Sequence, residues 1–364
     1  MLPLYLDANA TEPLHPAARG AALAAMDLPG NPSSVHAAGR AARRVLETAR
    51  EAIARRFGAA PAEVVLTAGG TEANALAVRG LGAGRRVLAG ATEHPAVLAA
   101  APGAERLPVL PDGTLDPGAL AAALAAGPPA LVCLMAANNE TGVLHPLAEA
   151  AALCRAAGAL LHVDGVQAAG RVPLSLAALG ADSLALSGHK MGGPKGAGAL
   201  LLRPGLDLPP MVAGGGQERG RRGGTEPLPA IAGMGAAAAE ADPAGAARLA
   251  ALRDAIEAAC VAGGATVAGA GAPRLPNTTC LVLPGVPAET QVIALDLAGV
   301  QVSAGAACSS GRVGRSHVLE AMGLGEHAGC AIRVSLPWNA PADAAGRFVA
   351  AWSAMRARLA RRAA

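Results

Sequence analysis

Residues 160–190 read LLHVDGVQAAGRVPLSLAALGADSLALSGHK, and this stretch decides the fold class. It contains two apolar runs, Leu160–Val163 and Ser183–Leu186, each of a length that suits a buried strand. The first run is followed at once by the polar residues DGVQ, and the second by SGHK. The stretch therefore predicts two buried strands whose C-terminal ends carry polar side chains.

The alternation of strand and helix extends on both sides, from Pro61 to about Arg203. Further strands are predicted at Val64–Thr67, Arg86–Ala89, Leu131–Met135 and Gly198–Leu202, with helices between them at Thr71–Gly80, Pro117–Ala126 and Leu147–Ala157. Strands that alternate with helices are typical of a mainly parallel sheet covered by helices. We therefore predict an α/β fold for this part of the chain.

The composition changes after Gly233, where an Ala-rich segment predicts a single helix over Ala236–Cys260. The elements predicted after it are strands at Thr279–Leu283, Val300–Ser303 and Ile332–Ser335 and a last helix over Asp343–Arg361. This order favours a smaller α+β domain that begins near Ala244.

Polar side chains collect at five predicted strand ends, in TAGGTEAN, ATEHPAV, AANNETG, DGVQ and SGHK. In an open α/β sheet, ligands bind beyond the C-terminal ends of the strands. We therefore expect one crevice that contains His94, Asn139, Asp164, Gln167, His189 and Lys190.

Each of these groups also has a plain structural interpretation. Gly69-Gly70-Thr71 leads into a helix, where it could hold a phosphate or simply provide Thr71 as an N-cap. Asp164 could be a turn residue, or it could keep a pyridine nitrogen protonated. Lys190 could lie on the surface, or it could form a Schiff base with an aldehyde.

The sequence has six cysteines and no CxxC pair, so we expect no metal site. Cys133 and Cys154 lie in apolar or helical patterns that are typical of buried thiols. Cys308 differs, because its context SAGAACSSGRVGRS is rich in small residues and has Arg312 and Arg315 nearby.

Composition and charge exclude several classes of protein. Hydrophobic residues make up 52% of the 364 residues, which is enough for a sizeable core. A net charge of +3 is too small to indicate a nucleic-acid partner. No signal peptide is visible and the apolar runs are too short to span a bilayer, so we expect a cytoplasmic protein without a membrane partner.

The motifs, taken in their order, resemble those of one enzyme family. They are YLDANAT, NPSSVH, TAGGTEAN, TEHPAV, NNETG, HVDGVQ, SGHKMGGPKG, GGGQERGRRGGT, SAGAACSS and IRVSL, and they run from Tyr5 to Leu336. This set resembles the cysteine desulfurases that serve iron–sulfur cluster assembly, which are fold-type I, class V aminotransferase-like enzymes that use pyridoxal 5′-phosphate (PLP). The resemblance implies a large PLP-binding domain over residues 13–244. It also implies a small domain, formed by residues 1–12 and 245–364, that carries the catalytic cysteine.

The resemblance also implies a role for each matching residue. Lys190, Cys308 and His94 would be catalytic, as the Schiff-base lysine, the sulfur acceptor and a ring-stacking proton carrier. The cofactor would be held by Gly70, Thr71, Asn139, Asp164, Gln167, Ser187, His189 and Thr225, with Thr225 reaching a neighbouring subunit of a homodimer. Arg333 would bind the substrate carboxylate, and Asn9, Ala10 and Asn31 would line the substrate side.

The implied reaction converts L-cysteine to L-alanine and leaves a persulfide on Cys308. A protein acceptor, either a cluster scaffold or a thiolation protein, would then take the sulfur. The alternatives are another class V PLP enzyme (a selenocysteine lyase, a β-eliminating lyase or an aminotransferase) and a non-catalytic protein with the same fold. A nucleotide-binding enzyme is disfavoured, because no GxxxxGK[ST] loop occurs.

Overall fold

The computed structural model of the chain describes residues 3–241, 243–305 and 315–363, so the predicted Cys308 and Arg312 lie outside the described residues. The strands are β1 (Leu4–Tyr5), β2 (Val64–Thr67), β3 (Arg86–Gly90), β4 (Glu105–Leu107), β5 (Ala130–Met135), β6 (Leu160–Asp164), β7 (Ser183–Ser187), β8 (Gly198–Leu202), β9 (Thr266–Val267), β10 (Thr278–Val282), β11 (Val300–Gln301), β12 (Ser303–Ala304) and β13 (Ala331–Ser335). The helices are α1 (Pro16–Met26), α2 (Ala37–Phe57), α3 (Gly70–Leu81), α4 (Pro95–Leu98), α5 (Pro117–Ala125), α6 (Leu147–Ala156), α7 (Leu176–Leu179), α8 (Leu228–Glu240), α9 (Ala246–Ala262), α10 (Ala288–Leu297), α11 (His317–Ala321) and α12 (Ala344–Ala363).

The large sheet has seven strands in the order β2-β8-β7-β6-β5-β3-β4. The pairs from β7 to β4 are parallel, whereas β8 is antiparallel to both of its neighbours. Since two antiparallel pairings restore the original direction, β2 points the same way as β3, β5, β6 and β7. The C-terminal ends of these five strands therefore lie at one edge of the sheet, which confirms the predicted mainly parallel α/β fold.

The helices that cover one face of this sheet are rich in alanine and glycine, and they pack closely. A Cβ atom at Gly235 of α8 would lie 2.6 Å from the Cβ atom of Ala49 in α2, and one at Gly233 would lie 2.5 Å from a ring carbon of Pro194. A larger residue at Gly235 would force α8 away from α2, and one at Gly233 would force it away from Pro194. The small residues therefore compensate for the scarcity of aromatic residues by allowing short distances between helices.

The prediction of one helix over Ala236–Cys260 is wrong, because the structure has two helices there. Helix α8 ends at Glu240, a short 3-10 turn occupies Pro243–Gly245, and α9 begins at Ala246. Pro243 lacks a backbone N–H and disfavours helical geometry in the residue before it, which explains the interruption. The strand predicted over Val300–Ser303 is likewise two short strands, β11 and β12, in different sheets.

The C-terminal part forms a four-stranded antiparallel sheet with the order β12-β13-β10-β9. The chain's N-terminus joins this part, since β1 pairs with β11 and Asp7 forms a parallel bridge to Ser335. Leu4 and Leu6 are buried in the same hydrophobic cluster as Phe348 and Trp352. We therefore propose that the chain forms two domains. Residues 13–244 form the large domain, and residues 1–12 together with 245–364 form the small one.

No helix in the described part of the chain is long and apolar enough to cross a membrane.

Buried histidines make the fold sensitive to acid. Burial lowers the pKa of His145 to about 4 and that of His162 to about 3. Between pH 6.5 and 4 the unfolded chain binds protons that the folded chain does not, so stability is full above pH 6.5 and falls as the pH decreases. We expect each histidine to lower the free energy of unfolding by up to about 1.4 kcal/mol per pH unit in that window.

Urea unfolding of the full chain at a series of pH values measures this effect. His145→Gln should reduce the slope of stability against pH between 6.5 and 4, whereas His327→Gln, at an exposed position, should leave it unchanged. Equal slopes in wild type and His145→Gln would contradict the prediction.

Candidate active site

A crevice of about 910 Å³ lies at the edge of the large sheet where the five strands end. The predicted site residues that line it are Asn9, Ala10, Gly70, Thr71, His94, Asn139, Asp164, Gln167, Ser187, His189, Lys190 and Arg333. They come from both halves of the chain, and the crevice therefore depends on how the two parts pack.

Two predicted residues, Asn31 and Thr225, do not line the crevice within one chain. Both are exposed, and the side-chain oxygen of Asn31 accepts a hydrogen bond from the Ser33 N–H at 2.8 Å. The exposure of Thr225 is compatible with a contact to a neighbouring subunit, and the roles of Thr225 at the phosphate and of Asn31 on the substrate side stay predictions.

The N-terminus of α3 forms one end of the crevice. No side chain caps this helix, whose N-cap residue is Gly69. Its first N–H groups have no acceptor within the helix, and together with the helix dipole they favour an anion. A Cβ atom at Gly70 would lie 2.7 Å from a methyl carbon of Val166, so only glycine keeps this approach open. This end of the crevice suits a phosphate group.

Lys190 follows β7 and points its amino group at the segment after β1. Its Nζ atom donates hydrogen bonds to the carbonyl oxygens of Asn9 at 2.6 Å and Ala10 at 2.9 Å. Burial, with added repulsion from Arg333 and Arg171, lowers the pKa of this amine to about 8. Only one other lysine, Lys195, occurs in the sequence, and it is exposed. Lys190 is therefore an amine that loses its proton near neutral pH.

Asp164 ends β6 at the floor of the crevice. Its Oδ2 atom accepts a hydrogen bond from the Asn74 amide at 2.7 Å, and Oδ1 accepts one from the Val166 N–H at 3.0 Å. The pKa of Asp164 is raised by burial, and the two hydrogen bonds together with the nearby His94 and Lys190 offset part of this rise. The hydrogen bonds stabilise the charged form of a carboxyl group that burial alone would neutralise.

His94 caps the short helix α4. Its Nδ1 atom accepts a hydrogen bond from the Ala96 N–H at 3.1 Å, so a neutral ring carries its hydrogen on Nε2. Burial lowers the pKa of His94. The ring is therefore neutral at pH 7 and has one N–H group to donate.

Arg333 comes from β13, and only 5% of it is exposed. Its Nη2 atom donates to Asp7 Oδ1 at 2.6 Å and its Nη1 atom to the Asn139 carbonyl oxygen at 3.0 Å. The Nε atom is buried and has no partner among the described residues. Two of the five N–H donors of the guanidinium group are used in these contacts, which hold it in place and leave donors for a ligand in the crevice.

Together these groups fit PLP. The α3 N-terminus suits its phosphate, the Asp164 carboxylate suits its ring nitrogen, and the Lys190 amine suits its aldehyde carbon.

Sequence reasoning missed a buried ion pair that supports the crevice. Arg171 donates to Glu12 at 3.0 Å and to the Gln167 side-chain oxygen at 2.7 Å. The Gln167 amide nitrogen then donates to the Asn9 carbonyl oxygen at 3.0 Å. Glu12 and Arg171 are separated by more than 150 residues in the sequence, so no local pattern indicated that they meet.

Glu93, next to His94 in TEHP, was also missed. It is fully buried, and its Oε1 atom accepts a hydrogen bond from the Met135 N–H at 2.6 Å. Burial, strengthened by the nearby Asp164, raises the pKa of Glu93 well above its usual value. The raised pKa of Glu93 disfavours a second negative charge near Asp164. The sequence did contain a signal for Glu93, because this glutamate lies inside a motif that leads into the crevice.

The glycine-rich segment 214–225 could close over a phosphate or be a surface loop, according to the sequence. None of its residues lines the crevice of this chain. Glu218 is instead buried and forms two hydrogen bonds of 2.7 Å with Arg50, and its side chain also accepts from the Leu66 N–H at 2.8 Å. Glu218 and Arg219 both have positive φ angles, of 48° and 57°. The buried ion pair holds this segment against β2 in a conformation that non-glycine residues rarely adopt.

The described cysteines lie outside the crevice lining. Cys133, Cys154, Cys260 and Cys280 are buried, and burial raises the pKa of each thiol, to about 12 for the last three. A thiol reacts as the thiolate, so these four are poor nucleophiles. This outcome agrees with the inert character predicted for Cys133 and Cys154.

Comparison with known proteins gives consistent matches. The family model described as aminotransferase class-V matches residues 4–345. A cysteine desulfurase from Cereibacter sphaeroides is 46% identical over 337 residues, which are 88% of this chain and 86% of that protein. An IscS-like cysteine desulfurase from Mycobacterium tuberculosis is 40% identical and aligns over 88% of this chain and 87% of its own length.

A solved structure of a NifS-like protein from Rickettsia africae superposes on this fold with a TM-score of 0.90. That protein is 33% identical, and the match covers 98% of this chain and 99% of the other.

Proposed function

The chain belongs to the class V aminotransferase family as one of its cysteine desulfurases, and from that premise we propose how its residues carry out the reaction. The substrate is L-cysteine, the products are L-alanine and a sulfur atom, and Cys308 receives the sulfur. The observation that carries the proposal is that Lys190, Asp164 and Arg333 face the same crevice.

Enzymes of this family use PLP in general, and we propose PLP as the cofactor here. Its phosphate would lie at the N-terminus of α3, between Gly70, Thr71, Ser187 and His189. Asn139 and Gln167 would lie near the ring oxygen, and Asp164 would pair with the ring nitrogen. When bound, PLP withdraws electrons from the α-carbon of an amino acid.

Lys190 would move the proton at the α-carbon. An amine whose pKa is about 8 is partly neutral at pH 7, and only a neutral amine accepts a proton. The neutral His94 ring would donate its Nε2 hydrogen within the same crevice. Asp164, as a carboxylate, would keep the ring nitrogen of the cofactor protonated, which strengthens its pull on electrons.

Cys308 would accept the sulfur. Its thiolate attacks the substrate sulfur, the carbon–sulfur bond breaks, a sulfur–sulfur bond forms, and the carbon takes up a proton to give alanine. Cys308 lies outside the described residues, and its assignment rests on the resemblance of SAGAACSS to the family. The poor nucleophilicity of the four buried cysteines supports it.

We further propose a homodimer and a protein acceptor for the sulfur. The exposed Thr225 would reach the phosphate in the neighbouring subunit, and the Glu218–Arg50 ion pair would fix the segment that carries it. The acceptor would be a cluster scaffold or a thiolation protein in the cytoplasm.

Product analysis of the wild-type protein tests the proposal. Purified protein with PLP, L-cysteine and a reductant should form alanine and sulfide in equal amounts, and mass spectrometry without reductant should find one added sulfur atom on the peptide that contains Cys308. Pyruvate in place of alanine would indicate a β-eliminating lyase. A keto acid that retains its sulfur would indicate an aminotransferase. Activity with selenocysteine but not with cysteine would indicate a selenocysteine lyase.

Arg333→Lys should weaken substrate binding far more than it slows the chemical step. A planar guanidinium group binds a carboxylate through two parallel hydrogen bonds, which an ammonium group cannot reproduce. We expect KM for L-cysteine to rise about 10- to 100-fold, corresponding to the loss of a charged hydrogen bond, while kcat falls less. Arg274→Lys, in an ion pair with Glu257 outside the crevice lining, is the control. A larger fall in kcat than rise in KM would argue against a carboxylate-binding role.

A further inference from the structure

Behind Asp164, three buried polar side chains continue from the crevice into the sheet. Asn74 Nδ2 lies 2.7 Å from Asp164 Oδ2, His162 Nε2 lies 2.9 Å from Asn74 Oδ1, and Ser183 Oγ lies 2.8 Å from His162 Nδ1. None of the three is more than 1% exposed. Each polar atom along this row therefore depends on its neighbour for a hydrogen bond.

The hydrogen bonds along this row of side chains all run in one direction. An ionised Asp164 only accepts hydrogen bonds, so Asn74 presents its NH2 group to it and turns its oxygen towards His162. That oxygen only accepts, so the His162 Nε2 atom must carry the hydrogen. Burial lowers the pKa of His162 to about 3, which leaves the ring neutral, and its Nδ1 atom then accepts from the Ser183 hydroxyl. Every hydrogen in the row points towards Asp164.

The opposite direction requires a different charge on Asp164. If Asp164 were protonated, it could donate to an inverted Asn74 amide, whose NH2 group would then face a His162 ring with its hydrogen on Nδ1. The tautomer of His162 therefore corresponds to the charge of Asp164, although the two residues share no direct hydrogen bond. The other charged or titratable groups that act on Asp164 are His94, Lys190 and Glu93.

Secondary structure explains why these residues meet. Ser183 on β7 is directly opposite His162 on the parallel strand β6, and Asp164 follows two residues later on β6. Asn74 lies in the second turn of α3, the helix whose N-terminus suits the phosphate. The same helix would therefore hold the phosphate at its N-terminus, and through Asn74 it contacts the carboxylate that would pair with the ring nitrogen.

We propose that Ser183, His162 and Asn74 are positioning residues that keep Asp164 ionised and oriented towards the ring nitrogen of the cofactor. The proposal rests on the proposed function in one respect, that the ligand of Asp164 is the PLP ring. It adds three residues that act through Asp164, of which Asn74 also lines the crevice whereas His162 and Ser183 do not.

The tautomer of His162 is the first test. The full chain labelled with 15N-histidine, with and without PLP, gives imidazole 15N signals that separate the two tautomers, and the His162 signal is assigned by its absence in His162→Gln. We expect a neutral ring with its hydrogen on Nε2 in both forms. A hydrogen on Nδ1, or on both nitrogens, would overturn the proposal.

Ser183→Ala is the second test, because it removes only the hydroxyl at the far end of the row. The His162 ring then has no partner for Nδ1 in either tautomer, so it loses one of the two hydrogen bonds that hold the ring, and through it the Asn74 amide, in place. We expect the dissociation constant for PLP to rise about 10-fold, and about 10- to 100-fold for Asn74→Ala, which removes the hydrogen bond to the charged group itself. The control is Thr279→Val. Thr279 lies on β10 in the four-stranded sheet, and its buried hydroxyl has no hydrogen-bond partner among the described residues.

The outcomes distinguish this proposal from the proposed function. If the wild-type chain binds no PLP, the proposed function itself is wrong. If the wild type binds PLP and Ser183→Ala binds it as tightly as Thr279→Val does, only the role of the row is wrong.

Discussion

Lys190→Ala should abolish turnover of L-cysteine, with a loss of at least about 1,000-fold in kcat. The variant lacks both the amine that joins the cofactor and the base that moves the α-proton, and removal of a general base alone typically costs 100- to 10,000-fold. The buried position of Lys190 and its pKa of about 8 explain why no exposed lysine can replace it. Steady-state alanine production, measured with PLP in excess, tests the expectation.

Lys195→Ala is the matched control, because Lys195 is the only other lysine in the chain and also borders the crevice. This variant should keep most of its activity, since the exposed ammonium group has little effect on a buried amine. Reductive trapping with borohydride should attach PLP to Lys190 in the wild type and in Lys195→Ala. Trapping on Lys195 in the wild type would reverse the assignment.

Cys308→Ala should stop alanine formation as completely as Lys190→Ala does, but at a later step. Without the acceptor thiolate, the carbon–sulfur bond has no nucleophile to receive its sulfur. Lys190 remains in place, so the variant should still exchange the α-hydrogen of L-cysteine with solvent in D2O. We expect alanine production to fall at least about 1,000-fold, while exchange stays within about 10-fold of wild type.

Cys330→Ala is the control for this experiment. Cys330 is the partly exposed cysteine among the described residues, and it does not line the crevice, so its loss should leave alanine production close to wild type. Full turnover in Cys308→Ala would mean that the sulfur has another acceptor. Loss of hydrogen exchange along with turnover would mean that Cys308 acts before the carbon–sulfur bond breaks.

Local sequence patterns predicted most of the large sheet. The strands at residues 64–67 and 198–202 have the bounds that were predicted, because short apolar runs between helical segments leave few alternatives. Because five of the strands run in the same direction, the polar residues that follow them lie at one edge of the sheet. The prediction failed over Ala236–Cys260, where an Ala-rich composition concealed the break that Pro243 imposes.

Local sequence patterns could not predict contacts between segments that are distant in the sequence. The Arg333–Asp7 contact joins residues 326 apart, and the Glu218–Arg50 pair joins residues 168 apart. A sequence motif shows which residue types are present, but it does not show which of them lie within hydrogen-bonding distance. The interpretation of segment 214–225 therefore remained open until its buried glutamate was located.

The sequence by itself determined the α/β fold, the crevice at the strand ends, and the chemical groups that line it, since periodicity and strand direction are local properties. The tertiary structure alone decided the electrostatic state of those groups. Burial makes Lys190 a base near neutral pH and leaves His162 neutral, and the pairing of β6 with β7 brings Ser183 opposite His162. Desolvation and hydrogen-bond geometry depend on neighbours from distant parts of the chain, and only folding brings those neighbours together.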